Sequence, residues 1–276
     1  MIKLAFLGTD DYAVKALDTL ISRGLVFQLV VSTPNKPAGR GLKLTPPPIV
    51  KYAQEHHLTV IQPDNLKTVS IELAAGDWDV FIVASYGKII PTAILSLPTH
   101  GTLNIHPSLL PKYRGPSPLE SVILAGEVET GITILQVDAE LDHGPIIAQD
   151  RMVLTTETAG ELGYILFKRG AEIIADILPD YLADKIIPQN QDHTQATFTK
   201  KFEKNEAEIN LADNPMTNYQ KIRAFTPRPG AFTFVSKNGK TIRLKIIKAH
   251  LLPGELVLDR VIPEGKRETS WQEFNQ

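Results

Sequence analysis

An α/β fold built on a doubly wound, mostly parallel sheet, followed by a small antiparallel β domain, is what this sequence predicts. Three observations carry that expectation. The chain opens with an apolar strand, a helical stripe and a second apolar strand (residues 2–7, 12–22 and 27–31), the β-α-β order that builds a parallel sheet. Further strand-like runs at 80–84 and 101–106 supply the centre of the same sheet. Beyond residue 200, two alternating segments flank Asn238-Gly239, a strong signal for a β-hairpin.

Composition sets the outer limits. With 276 residues the chain exceeds one typical domain, and two are expected. Cysteine is absent, which excludes disulfides, thiolate nucleophiles and Cys-type zinc sites. No apolar run approaches the roughly 18 residues of a membrane span, so no membrane partner is expected. Met1-Ile-Lys-Leu enters a strand at once, leaving no room for a signal peptide, and a cytoplasmic location follows as the expectation. The net charge of −2 is unevenly spread. Residues 1–199 hold 15 Lys and Arg against 22 Asp and Glu, whereas residues 200–276 hold 14 against 9. A basic C-terminal module meeting a polyanion fits that asymmetry.

The elements follow in order. Val14, Leu17, Leu20 and Ile21 form the stripe of the first helix. Gly8 stands alone before it, so the G-x-G-x-x-G fingerprint is absent and a dinucleotide-dependent dehydrogenase loses its main support. Residues 33–48 (TPNKPAGRGLKLTPPP) carry five prolines and two glycines and read as a long loop, basic at Lys36, Arg40 and Lys43. A loop of that length without secondary structure is usually functional or disordered, and a plain solvated loop is the alternative. Helical pattern returns at 49–55, a short strand at 59–61 and a helix at 69–75. His56-His57 lacks the H-E-x-x-H spacing of a metal site and reads as a helix end. The strand at 80–84 leads into SYGKIIP (85–91), whose backbone could line the pocket of the next stretch.

That stretch, residues 102–117 (TLNIHPSLLPKYRGPS), organises the chain. Residues two apart on a strand share a face, so Asn104 and His106 present an amide donor and an imidazole together. Pro107, Pro111, Gly115, Pro116 and Pro118 then hold the chain in a stiff extended loop. Ligands bind at the carboxyl ends of strands in open α/β sheets, and this loop is read as the active-site loop. A lone histidine beside a strand is more often structural; its pairing with Asn104 is what favours function. After a helix at 119–125 and a strand at 131–137 comes DAELDHGP (138–145). One of Asp138, Glu140 and Asp142 could pair with His106, and an ordinary acidic turn is the alternative. A strand at 149–153 and a helix at 158–184 complete this half. The polar run 188–196 (PQNQDHTQA) reads as a linker, 215–225 as a helix, and the hairpin of 231–235 and 241–247 as part of a small barrel-like domain.

Several segments together resemble one family, the methionyl-tRNA formyltransferases. They are GTDDYAVKALDTL, NKPAGRGLKLTPPP, NIHPSLLPKYRGPSP, ETGITI, LDHGP and RAFTPRPGAF, in the family's order and across essentially the whole chain. The SLLPxYRG run is similar to other folate-dependent formyltransferases; the AGRGxKL and RAF-x-P-x-P segments narrow the resemblance to the tRNA enzyme. It implies a formyltransferase-fold catalytic domain (1–187), a linker (188–205) and an OB-like β-barrel domain that binds tRNA (206–276). It also implies transfer of a formyl group from the co-substrate 10-formyltetrahydrofolate to methionine on initiator methionyl-tRNA, by a monomer, with no metal. The family's catalytic residues fall on Asn104, His106 and Asp142, and its folate contacts on Ser108, Leu109, Leu110 and Pro111 and on Tyr86, Gly87, Ile89 and Ile90. Lys36, Arg40 and Lys43 would meet the tRNA. A sugar or small-amine N-formyltransferase using the same three residues, and a non-catalytic RNA-binding protein, are the alternatives. The chain departs from the family pattern at Asp10 (commonly Pro), at His143 (usually Thr) and in its short C-terminal domain.

Overall fold

Uninterrupted apolar runs form the central strands. The computed structural model describes residues 2–38, 41–66, 73 and 75–276. Its first elements are β1 (Leu4–Gly8), α1 (Asp11–Ser22), β2 (Phe27–Val31), β3 (Lys36–Ala38), β4 (Lys43–Thr45), α2 (Pro48–Glu55), β5 (Val60–Ile61), β6 (Val80–Ala84), α3 (Thr92–Leu95) and β7 (Thr102–His106). Next come α4 (Pro118–Leu124), β8 (Glu129–Gln136), β9 (Ile146–Val153), α5 (Ala159–Leu182) and α6 (Pro215–Ala224). The chain closes with β10 (Phe232–Lys237), β11 (Lys240–Leu252), β12 (Glu255–Pro263), β13 (Thr269–Ser270) and α7 (Trp271–Asn275). The chain divides into two compact units, one of residues 1–114, 131–151 and 164–197, the other of residues 115–130, 152–163 and 198–276.

The first unit holds a sheet of order β5-β2-β1-β6-β7-β8-β9. β1 pairs in parallel with β2 and β6, β2 with β5 and β6 with β7; β8 runs antiparallel to β7. Strand order reverses between β1 and β6, which opens a crevice at their carboxyl ends. Both strands are buried at every position, as a sheet covered on two faces requires. Burying side chains such as Phe6, Leu7, Phe81 and Ile82 contributes about 1.5–3 kcal/mol each. α1 starts where Asp10 accepts from the amides of Tyr12 and Ala13, and it turns Ala13, Ala16, Leu17 and Leu20 inward. Gly8 allows that approach, because a Cβ there would stand 2.6 Å from the Cβ of Ala13.

The basic segment 33–48 differs from its expectation. It contains a two-stranded hairpin, β3 with β4, pairing Lys36 with Thr45 and Ala38 with Lys43. Backbone pairing sets this hairpin, and its Leu44 is exposed, so no buried face marks it in the sequence. Gly39 and Arg40 lie outside the described residues, as does nearly all of the helix expected over 69–75. The polar run 188–196 lies within the first unit, where Gln189 and Ile146 exchange both backbone hydrogen bonds at 2.8 Å.

The second unit carries an antiparallel sheet of order β10-β11-β12-β13. Asn238 and Gly239 turn between β10 and β11 with φ of 53° and 72°, the left-handed pair that a two-residue hairpin demands. Ile209, Ile222, Leu244, Ile246, Leu258 and Val261 form its core. Among the described residues the outer strands β10 and β13 do not pair with each other, so the sheet is open. A cavity of about 430 Å³ lined by Leu211, Pro215, Leu256, Leu258 and Trp271 belongs to this unit and contains none of the expected site residues. Among the described residues no helix is long and apolar enough to cross a membrane.

Candidate active site

The site is assembled in the first unit from the carboxyl ends of β6 and β7 and from the turn between β8 and β9. β7 places Asn104 and His106 on one face, opposite Leu135 and Thr133 of β8. His106 is 4% exposed, whereas Asn104 is half-buried and its side-chain amide makes no hydrogen bond among the described residues. The imidazole is oriented from two sides. Its Nε2 lies 3.0 Å from the carbonyl of Tyr113. A carbonyl only accepts, so Nε2 carries a hydrogen. Nδ1 faces Oδ1 of Asp142 at 3.6 Å, within ion-pair range and beyond hydrogen-bond range.

Of the three carboxylates in the acidic turn, it is Asp142 that meets His106. Asp138 instead accepts from Nδ1 of His143 at 2.7 Å, and Glu140 stands 4.0 Å from the other nitrogen of that ring. His143 stacks on His193 with centroids 4.0 Å apart and planes 4° from parallel. Asp142 is only 11% exposed at its side chain and adopts a left-handed φ of 49°, an uncommon conformation for a residue with a Cβ.

The two loops expected to hold folate are fixed by polar contacts. Thr133 Oγ1 donates to the Ser108 carbonyl (2.7 Å) and accepts from the Leu110 amide (3.2 Å). Gln149 Nε2 donates to the Leu110 carbonyl and to Thr133 Oγ1 at 3.0 and 2.8 Å. Ser108 and Leu110 are buried; Leu109 and Pro111 are half-buried. In the other loop, Ser85 takes a left-handed φ of 49° and donates to Oδ2 of Asp10 at 2.6 Å. Lys88 Nζ donates to the carbonyls of Pro63 and Asp64. Tyr86 and Ile90 pack against the core around Ala5, Leu7 and Val83, while Gly87 is exposed and Ile89 is 93% exposed. Burial pushes the Tyr86 phenol up to about 12, and its hydroxyl has no hydrogen-bond partner among the described residues.

Lys36 and Lys43 are exposed on β3 and β4, and Arg40 lies outside the described residues. Thr133, Gln149, Arg114 and Gln191 escaped the sequence reading. Thr133 sits on β8 inside the ETGITI segment and Gln149 on β9 outside every quoted segment; Arg114 lies inside the YRG run, and Gln191 inside a polar stretch that resembles any linker. Among the described residues no group of three or more His, Asp or Glu side chains is arranged to hold a metal ion.

A doubly wound sheet with this Asn-His-Asp cluster at its carboxyl edge, whose chain matches the family models for formyl transferase over residues 2–178 and for its C-terminal domain over residues 201–260, is a formyltransferase. The methionyl-tRNA formyltransferase of Chloroflexus aurantiacus is 44% identical over 251 residues, which cover 90% of this chain and 80% of that one. That of Carboxydothermus hydrogenoformans is 38% identical over 299 residues, covering 99% and 96%. The chain belongs to the methionyl-tRNA formyltransferase family. Among solved structures, the methionyl-tRNA formyltransferase from Clostridium thermocellum aligns with a TM-score of 0.61 at 21% identity, over 95% of this chain and 99% of that one. The N-formyltransferase from Helicobacter canadensis in complex with folinic acid and dTDP-3-aminofucose aligns at 0.65 and 19%, over 98% and 99%. At those identities the likeness is one of fold.

Proposed function

We infer that this protein transfers a formyl group from 10-formyltetrahydrofolate to the α-amine of methionine on initiator methionyl-tRNA, with Asn104, His106 and Asp142 as its catalytic residues. The observation that carries the assignment of roles is the Asn104 side-chain amide, without a hydrogen bond among the described residues, on the same strand face as an imidazole whose Nδ1 faces Asp142. When bound, the folate supplies an activated formyl carbon for the amine to attack. Negative charge then develops on the formyl oxygen. Asn104 offers a fixed N–H donor to that oxygen, and Nδ1 of His106, once protonated, offers a second. Because Nε2 is committed to the Tyr113 carbonyl, Nδ1 is the ring nitrogen left for the reaction. Asp142 balances the charge on the imidazolium and, through a water, accepts the proton the amine loses as its new N–C bond forms; the formyl carbon–N10 bond then breaks, and that proton passes to N10 of the departing tetrahydrofolate.

The residues present fit a folate. Such ligands need apolar walls and a few fixed polar groups. Leu110 and Tyr86 supply apolar surface, and Thr133 and Gln149 hold the 108–111 backbone in one shape. Four of the six buried polar groups that lack partners among the described residues are Thr9 Oγ1, Ser32 Oγ, Thr33 Oγ1 and the Tyr86 hydroxyl, just past the ends of β1, β2 and β6. Orphaned hydroxyls gathered at the carboxyl edge of a sheet are what a polar ligand or ordered water would satisfy. Lys36, Arg40 and Lys43 would meet the phosphates of the tRNA.

The test offers the purified protein 10-formyltetrahydrofolate with two acceptors in parallel, methionyl initiator tRNA and a nucleotide-linked amino sugar. Formylation of the charged tRNA alone supports this reading. Formylation of the sugar alone overturns the acceptor, and formylation of neither overturns the reaction.

A further inference from the structure

We propose that Gln191, gripped by Arg114, is a positioning residue that fixes the backbone at Asp142 and so sets the carboxylate beside His106. The inference rests on the catalytic assignment of Asp142 above. Gln191 is 6% exposed, and both ends of its amide are engaged. Nε2 donates to the carbonyl of Asp142 at 2.9 Å and to that of Gly144 at 2.7 Å. Oε1 accepts from Nε and Nη2 of Arg114 at 3.2 and 2.6 Å. Two donors and two acceptor sites are all that a primary amide has, so this one is saturated and has a single orientation.

Arg114 is itself 3% exposed, and its Nη2 also donates to Nδ1 of His193 at 2.9 Å. Hydrogen bonds from a buried cation are shorter and stronger than neutral ones, so the amide oxygen is held hard. His193 in turn stacks on His143, the residue next to Asp142. The turn is therefore clamped on both sides of the carboxylate. Asp142 needs such a clamp, since a left-handed φ of 49° persists only where the surroundings impose it. The Gln136 amide donates to the carbonyl of Pro145 at 2.9 Å and closes the turn from the β8 side.

The chemistry calls for an amide at position 191. A carboxylate would keep its contact with Arg114 but would turn acceptors toward two carbonyls. Gln191→Glu is nearly isosteric and breaks only the donor half of the brace. Gln191→Met removes both halves while retaining volume, and serves should the charged variant fail to fold. The measurement is steady-state formyl transfer to methionyl-tRNA by the full chain, with melting temperature recorded for each variant. The brace predicts kcat lowered about ten- to a hundredfold by the displaced carboxylate, with KM for folate and tRNA within twofold of wild type. It also predicts that Asp142→Asn/Gln191→Glu loses no more than Asp142→Asn alone. Wild-type kcat in a folded Gln191 variant, a raised KM with kcat intact, or losses that simply multiply in the double variant would each overturn it. Full activity in Asp142→Asn would bring down the catalytic assignment together with the brace, whereas a slow Asp142→Asn beside a fast Gln191→Glu removes the brace alone.

Discussion

The carboxylate of Asp142 stands 3.6 Å from Nδ1 of His106, while the opposite ring nitrogen is spent on the carbonyl of Tyr113 at 3.0 Å. The imidazole is thereby committed to one orientation, with Nδ1 the ring nitrogen turned toward the carboxylate. Asn104→Ala removes the fixed donor and is expected to slow formyl transfer about a hundred- to a thousandfold, or ~3–4 kcal/mol. His106→Ala and Asp142→Asn are expected to cost comparably and non-additively, since the three act as a unit. Single-turnover rates on the folded variants check this, and a variant that keeps the wild-type rate leaves the list.

Gly144→Ala is expected to abolish activity while leaving folate contacts in the 108–111 loop untouched. A Cβ at this position would stand 1.9 Å from the carbonyl oxygen of Gln136, so the acidic turn must move and take Asp142 with it. The variant's rate, read beside its folate affinity, distinguishes a displaced carboxylate from a lost pocket. Equal losses in both would contradict the localised effect.

Asp10 gives a pH prediction. Burial pushes its carboxyl above the usual value of 3.8, against the lowering effect of Ser85 and of the amides of Ala13 and Tyr12. The folded protein then holds this proton more tightly than the unfolded chain. Its contribution is fully present below 3.8 and is lost as pH rises through the raised native value. Asp10→Asn keeps the oxygen that accepts from the helix amides, turns an amide N–H toward Ser85 Oγ in place of the second oxygen, and cannot ionise. Stability measured against pH should therefore fall less across that acidic window in the variant. Parallel curves for the two proteins would count against a raised native value.

Much of the first unit was legible because its central strands β1 and β6 are buried on both faces. The runs LAFLG and VFIVA are apolar without interruption and buried at every position, and FQLVV is broken only by Gln28. Asn104 and His106 were legible together because strand spacing alone puts them on one face. The hairpin of β3 and β4 was not, since its exposed leucines and prolines follow no pattern of burial. β12 follows a Pro253-Gly254 turn, a weaker hairpin signal than Asn238-Gly239, and β13 is two residues long. Gln191 could not be found from sequence. Its neighbours are as polar as those of a linker, and only the tertiary fold brings its amide to Asp142.

On that hairpin, Lys36 and Lys43 are exposed cations with no general-base role at neutral pH. Replacing them and Arg40 with Gln is expected to weaken tRNA binding and flatten its salt dependence, each lost phosphate contact removing about 0.7–0.9 from the log–log slope. Folate affinity should not change. An unaltered slope would place the tRNA elsewhere.

The proposed function makes the Asn104, His106 and Asp142 cluster the centre of formyl transfer to methionyl-tRNA. Single-turnover transfer of formyl from 10-formyltetrahydrofolate to methionyl initiator tRNA, run with wild-type protein and Asp142→Asn side by side, tests it most directly. Rapid formation of formylmethionyl-tRNA by the wild type is expected, with a loss of at least about a hundredfold in the variant and tRNA and folate binding retained. Equal rates in the two proteins, or no formylated tRNA from either, would contradict it.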